Sequence, residues 1–246
     1  MMQPFASRSG AIMLDVPRFE QPDDVTCGPT CLTQAYRYFG YAKSLSDVIE
    51  ETPRNPDGGT LAVYLGISAL RNGFHPTIYS FNLRIFDPSW RDLETDEMVS
   101  KLQQRAQFVR SEKLRQSLDA YCTYLQMGGR VVFDDLSRDL LVQLLSQGQP
   151  ILTGLSATYL YRTKREYRNE YDDVRGEPAG HFVVISGYEP GTDQFVVRDP
   201  SMHIPFSRTG KYSVPAERLI AAIFLGDVTY DAVLLVLGER HFHSTL

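Results

Sequence analysis

The chain has 246 residues, 43% of them hydrophobic, enough to bury a sizeable core in one large domain or two small ones. Its 25 basic and 30 acidic side chains leave a net charge of −5 with no run of one sign, which excludes the electrostatic footprint of a nucleic-acid or anionic-membrane partner. Three cysteines, an odd number, argue against a disulfide framework and for free thiols in a reducing compartment.

The opening MMQPFASRSGAIMLDV has no basic stretch leading into a sustained apolar run and no small-residue cleavage site, so a cytoplasmic protein is expected. The first strong signal is QPDDVTCGPTCL. Pro29 fixes φ near the helical value and lacks an N–H that the first turn could not have bonded, which places Cys27 at or beside the start of a helix. Unsatisfied N–H groups and the positive end of the helix dipole favour a thiolate there, the nucleophilic form of the residue. Gln21, six residues upstream, is positioned to bring a carboxamide donor back to an oxyanion forming beside the sulfur. The competing reading of Cys27 is a buried core thiol, and on local grounds alone it is the better one. Cys31 keeps that reading, since it shares an apolar face with Ala35 beside a stripe of Leu32, Tyr36 and Phe39, before Gly40 ends the helix.

A second short helix is expected after Ser44 or Ser46, followed by the breaker-rich loop PRNPDGG. Thr60 is expected to cap a third helix with Leu61, Tyr64, Leu65, Ser68 and Ala69 at helical spacing, ended by Gly73. Short extended runs follow over 77–82. Over 96–127 a long, broken helical pattern runs through Met98, Leu102, Ala106, Val109, Leu114, Leu118 and Leu125 to Gly128 and Gly129; with its flanks, 92–130 is read as a helical region inserted into a single domain of 1–246.

Ser137 should cap the helix SRDLLVQLLSQG, and Pro150 opens ILTGLSATYLY, read as buried strand. The segment 162–178 carries five basic and five acidic residues and reads as a solvated, self-compensating loop. HFVVISGY and QFVVRDP form two strands around the turn EPGTD, Pro215 starts the helix VPAERLIAAIF, and DAVLLVLG closes the sheet. The most apolar segments, LIAAIFLG and DAVLLVLG, fall far short of the ~20 residues of a membrane span and read as core.

An activated cysteine needs a base and an orienting group, and His181 and Asp199 follow it in the order that papain-like enzymes use. If Tyr188 faces Gln194 across the hairpin, Asp199 lies opposite Val183 and His181 is its diagonal neighbour on the same face. Such neighbours have Cβ atoms ~7 Å apart, within reach of an aspartate oxygen bonding imidazole Nδ1. A one-residue slip would separate them. The roles expected are attack by Cys27, proton transfer through His181 Nε2, orientation by Asp199, and oxyanion stabilisation by Gln21 with the Cys27 backbone N–H.

QPDDVTCGPTCL followed by GHFVVISGYEPGTDQFVVRDPS resembles the papain-like double-glycine peptidases that process bacteriocin leaders, in particular a stand-alone branch of peptidase-like bacterial proteins. That family's pattern has a glutamine six residues before Cys-Gly, a histidine opening a strand that ends in Gly-Tyr, and Asp-Pro ending the next strand. Gln21, Cys27, His181 and Asp199 stand at those positions. The resemblance implies an α+β papain-like fold, a helical half bearing the cysteine packed on an antiparallel sheet bearing His181 and Asp199. Leader peptidases of the family usually sit on ATPase-driven membrane transporters, whereas this sequence has neither a spanning segment nor a phosphate-binding loop.

Other chemistry is weaker. GLSAT around Ser156 has Thr158 where a nucleophile elbow needs its second glycine. Cys27 and Cys31 with His241 and His243 lack the usual zinc spacing, so neither metal nor cofactor is expected. Trp90 and the aromatic run YLYRTKREYRNEY are weak candidates for a peptide groove.

The expected activity is hydrolysis of a peptide or isopeptide bond through a Cys27 thioester, with a peptide or protein as the partner. Transfer of the acyl group to an amine, or peptide binding without turnover, are the alternatives. Iodoacetamide should label Cys27 much faster than Cys31 and Cys122 near neutral pH; equal rates would count against a tuned nucleophile.

Overall fold

The computed structural model describes residues 10–55, 58–168, 170–226, 232–238 and 240. After a two-residue strand β1 (Ile12–Met13), three helices follow: α1 (Cys27–Tyr38), α2 (Leu45–Glu51) and α3 (Ala62–Arg71). The Ser44 side chain accepts Asp47 N–H to cap α2. α3 begins one residue later than Thr60 predicts, with Leu61 as its cap residue, because the Thr60 hydroxyl is engaged elsewhere, donating to the Pro53 carbonyl. β2 (Pro76–Ser80) leads through a 3₁₀ turn at Pro88–Trp90 to α4 (Thr95–Ala106) and α5 (Glu112–Gln126), the broken pattern read from sequence, with Ser111 capping the second helix. Gly128 then takes φ +92°.

β3 (Arg130–Val132) went unread, being three residues long. α6 (Arg138–Ser146) is capped by Ser137, and β4 (Ile151–Ser156) is buried throughout. The run ILTGLSATYLY is not strand to its end. Ser156 accepts Tyr159 N–H and caps a five-residue helix, α7 (Ala157–Tyr161), which closes on Arg162 in the left-handed region. The 162–178 loop contains a small hairpin, β5 (Glu166–Tyr167) with β6 (Glu170–Tyr171), and it does compensate its own charge: Lys164 faces Asp173 and Arg175 pairs with Asp172. β7 (Gly180–Glu189), β8 (Gln194–Arg198) and β9 (Lys211–Pro215) form a meander, α8 (Ala216–Phe224) follows, and β10 (Val233–Leu237) ends the described elements. Sequence reading missed β9, whose inward positions are few.

The main sheet runs β3-β2-β10-β4-β7-β8-β9, with β1 on β7. It is antiparallel apart from the β2–β3 edge pair, and β10 lies inside it rather than at a margin. α1, α3 and α5 cover one face in a core that includes Leu152, Phe182, Val184 and Leu235; α6 and α8 cover the other, over Val183, Ile185 and Val197. This α+β arrangement matches the expected fold class.

The hairpin register carries the finding that matters for the site. Tyr188 faces Phe195, not Gln194, so the turn end is out by one residue. A bulge between Ile185 and Gly187 absorbs the slip, and beyond it Ile185 faces Val197 and Val184 faces Arg198. Asp199 then comes level with Val183, as the sequence argument requires. The carbonyl of the extra residue, Ser186, is satisfied by Leu14 N–H at 2.7 Å, next to β1.

α1 is buried along almost its whole length, including Thr30, Thr33 and Gln34. The threonine hydroxyls bond back to the carbonyls of Thr26 and Pro29, which offsets their burial, and Gln34 Oε1 accepts Phe19 N–H while its Nε2 is buried without a hydrogen-bond partner among the described residues. Close packing sets Gly28, since a Cβ there would overlap Thr60 Cγ2 and touch Leu65 and Phe182. Gly28→Ala should lower stability by about 1–3 kcal/mol in chemical denaturation, and Thr60→Ser, which removes the clashing methyl and keeps the hydroxyl, should restore most of it. Equal midpoints for Gly28→Ala and the parent would refute this packing.

Candidate active site

Cys27 is the first residue of α1, half-buried, and Thr26 at the cap position makes no side-chain cap, so the first-turn N–H groups stay open towards the sulfur. His181 is the second residue of β7, and Asp199 follows the end of β8. Their side chains meet at 2.8 Å, His181 Nε2 to Asp199 Oδ1, and the imidazole also hydrogen-bonds Cys27. The ring nitrogens are exchanged relative to the expectation: Asp199 holds Nε2, leaving Nδ1 for the thiol.

Asp199 is fully buried and takes four donors. His181 and the Ser201 backbone N–H bond Oδ1 at 2.8 and 2.9 Å, while the hydroxyls of Tyr161 and Tyr212 each bond Oδ2 at 2.7 Å. Burial opposes its charge, but the His181 cation and these hydrogen bonds outweigh burial and hold the carboxyl below its usual range. His181 shows the mirror case. Burial would depress it, yet Asp199, with help from Cys27, pushes it up to about 10. Its protonation therefore contributes stability that is complete below its ordinary value of 6.5 and is lost as pH rises through about 10; the ionised Asp199 contributes above 3.8 and is lost as pH falls through its depressed value. Burial and the Asp199 charge drive Tyr161 and Tyr212 far upward, so both remain donors.

Cys31 is buried with its thiol 3.3 Å from the Phe182 carbonyl, and burial raises it well above a thiol's ordinary range, as the packing reading anticipates. Cys122 is raised as well, again by burial first.

Gln21 lies between the two halves of the site. Its backbone N–H donates to the Pro200 carbonyl beside Asp199, and its carboxamide Nε2 donates to the Asp23 carbonyl at 2.8 Å, which Thr26 Oγ1 also bonds. One carboxamide N–H is thus committed to its own loop, and the second has no partner among the described residues. Gln21 Oε1 is buried without one.

Sequence reasoning missed the frame around Asp199. Tyr161 and Tyr212 come from elements it did not read, α7 and β9. Arg18 donates through Nε to the Asp199 carbonyl at 3.1 Å and through Nη2 to the Ser201 carbonyl at 2.8 Å, and Asp199 N–H donates to Gly210. Gly210 has φ +65°, and a Cβ there would sit 2.5 Å from the Asp199 carbonyl oxygen and collide with Arg18 Nε. The glycine in SRTGKY was the available signal.

The weaker candidates find other places. Ser156 is a helix cap. Trp90 packs against the core of the helical face. Among the described residues no group of three or more His, Cys, Asp or Glu could hold a metal ion, and His241 and His243 lie outside them. No helix among those residues is long and apolar enough to cross a membrane.

Among solved structures, the chain is similar to one described as a C39-like peptidase from Bacillus anthracis (14% identity, 95% of this chain and 100% of that one, TM-score 0.47). It is also similar to a double glycine motif protease from an AMS/PCAT transporter in complex with its leader peptide (13%, 94% and 98%, TM-score 0.45) and to xylellain, a cysteine protease from Xylella fastidiosa (14%, 94% and 86%, TM-score 0.47). No curated protein sequence matches the chain. The model of the Peptidase_C39 like family matches residues 13–217, a span that runs from β1 through Gln21, Cys27, His181 and Asp199 into α8, and the chain belongs to that family.

Proposed function

We propose that this cysteine peptidase cleaves a peptide or isopeptide bond through a thioester on Cys27, with His181 carrying the proton, Asp199 orienting the imidazole, and Gln21 with the Cys27 backbone N–H as oxyanion donors. The observation that carries the reading is the buried Asp199–His181 pair presenting its free nitrogen to a thiol at a helix N-terminus.

The thiolate and the imidazolium form the working pair. Cys27 Sγ attacks the carbonyl carbon, and the oxyanion collects the open first-turn N–H and the uncommitted N–H of Gln21. His181 Nδ1 gives its proton to the leaving amine as the C–N bond breaks. Water then attacks the thioester, returning a proton to His181 and releasing a carboxylic acid with the thiolate restored. Asp199 keeps the ring oriented and its charge balanced throughout, and its four donors leave it no reason to take the proton itself.

The substrate is a peptide or protein. The free thiols Cys27, Cys31 and Cys122 support a reducing, cytoplasmic setting. The helices α4 and α5, of which α4 packs on α5 and α5 on α3, support reading 92–130 as an insertion within one peptidase domain.

Cys27→Ala should lower turnover of a cleaved library peptide by a factor on the order of 10⁴ or more with the melting temperature kept; retained turnover would eliminate the covalent route. The alkaline limb of kcat/KM should fall near pH 10, where His181 loses its proton, and Asp199→Asn should move that limb down by at least about one unit. An unmoved limb would show that Asp199 does not charge the imidazole.

A further inference from the structure

Between α7, the 162–178 segment and α8 lies a cavity of about 690 Å³. Its walls carry three arginines, Arg162, Arg165 and Arg218, against one carboxylate, Glu217, on a chain whose net charge is −5. The guanidinium groups of Arg162 and Arg218 make no hydrogen bond, ion pair or aromatic contact with any described residue, whereas most other arginines around the 162–178 segment are engaged: Arg165 donates to the Asp173 carbonyl, and Arg168 and Arg175 lie over Tyr167. Tyr159, Pro178 and Leu225 supply apolar surface between the charges.

Arg162 is held at φ 56°, the left-handed region where glycine is the unstrained choice. A long cation kept at such a position, facing a cavity and without a partner of its own, points to a ligand for the side chain. The cavity also adjoins the catalytic centre along the chain. Ser156 on its wall pairs with Gly180, the neighbour of His181, and Arg162 directly follows Tyr161, whose hydroxyl holds Asp199.

We propose that this cleft binds an acidic stretch of the peptide substrate, its carboxylates forking onto Arg162 and Arg218 while their methylene stems lie on Tyr159 and Pro178. The proposal deepens the peptidase reading and rests on it. Planar guanidinium groups match carboxylates two bonds at a time, and the volume suits one or two acidic side chains with their backbone.

Binding is measured in a Cys27→Ala background, so that no turnover is needed and a failure here leaves the peptidase reading to be judged by thiol labelling and turnover. Fluorescein-labelled hexaglutamate, hexaserine and hexalysine peptides serve as probes in fluorescence anisotropy. The glutamate peptide should bind about tenfold or more tightly than the serine peptide, with affinity falling as salt is added. Arg162→Glu combined with Arg218→Glu should abolish that preference and favour the lysine peptide. Arg162→Gly separates a ligand role from a structural one, since it should weaken glutamate binding while leaving the melting temperature equal or higher. Equal binding of glutamate and serine peptides, or an unchanged preference in the double variant, overturns the proposal. Stronger competition by a single-stranded oligonucleotide than by the glutamate peptide overturns the peptide assignment.

Discussion

A carboxylate with no exposure to water depends entirely on the donors brought to it, and Asp199 is such a group. An unpaired buried charge would be expelled or neutralised. Four donors prevent this, and each belongs to a different part of the chain: α7 gives Tyr161, β7 gives His181, β9 gives Tyr212, and the turn after β8 gives Ser201 N–H. The need to satisfy one side chain thereby fixes the relative positions of three strands and a short helix. Arg18, from the segment leading to α1, grips the carbonyls of the same turn and ties the thiol-bearing half to it.

The thiol reaches this assembly through a helix buried on nearly all sides. A single turn of misplacement would separate sulfur from imidazole, and α1 is denied that freedom by contacts at both levels. Gly28 lets the helix sit against Thr60 and Phe182, and Cys31, one turn on, is bonded to the Phe182 carbonyl of β7, the residue beside His181. The second cysteine, unreactive in its buried setting, thus positions the first. Gln21 closes the gap from the other side, bonded by its backbone to Pro200 and by its side chain to the loop before Cys27.

What sequence alone made legible follows the range of the forces involved. The start of α1, the cap at Ser137, the helix expected after Ser44 or Ser46 and the long broken helices are local effects of proline, hydroxyl and periodicity, and each is present, with Ser44 as the cap of α2. The His181–Asp199 juxtaposition was legible because alternation in a hairpin is nearly local. The pairing at the turn was misread because a bulge leaves no clear mark in VISGY, and the imidazole orientation was misassigned because it depends on a three-dimensional approach. Tyr161 was hidden in ATYLY, whose aromatic and β-branched residues favour strand until Ser156 caps them into a helix. Tyr212 sits in a short edge strand with too few inward positions to show a period. Arg18 acts on Asp199 from far along the chain and nothing in its neighbourhood announces it, while Gly210 leaves only the glycine of SRTGKY as a mark.

The bulge at Ser186 has a consequence for how such a hairpin can vary. It divides β7 and β8 into two ladders offset by one residue, one next to the turn and one leading to His181 and Asp199. A one-residue change in the turn can be taken up at the bulge while Val183 and Asp199 stay level. The irregularity works as a mechanical decoupler, because the pairing next to the turn and the pairing that sets His181 against Asp199 are offset by one residue.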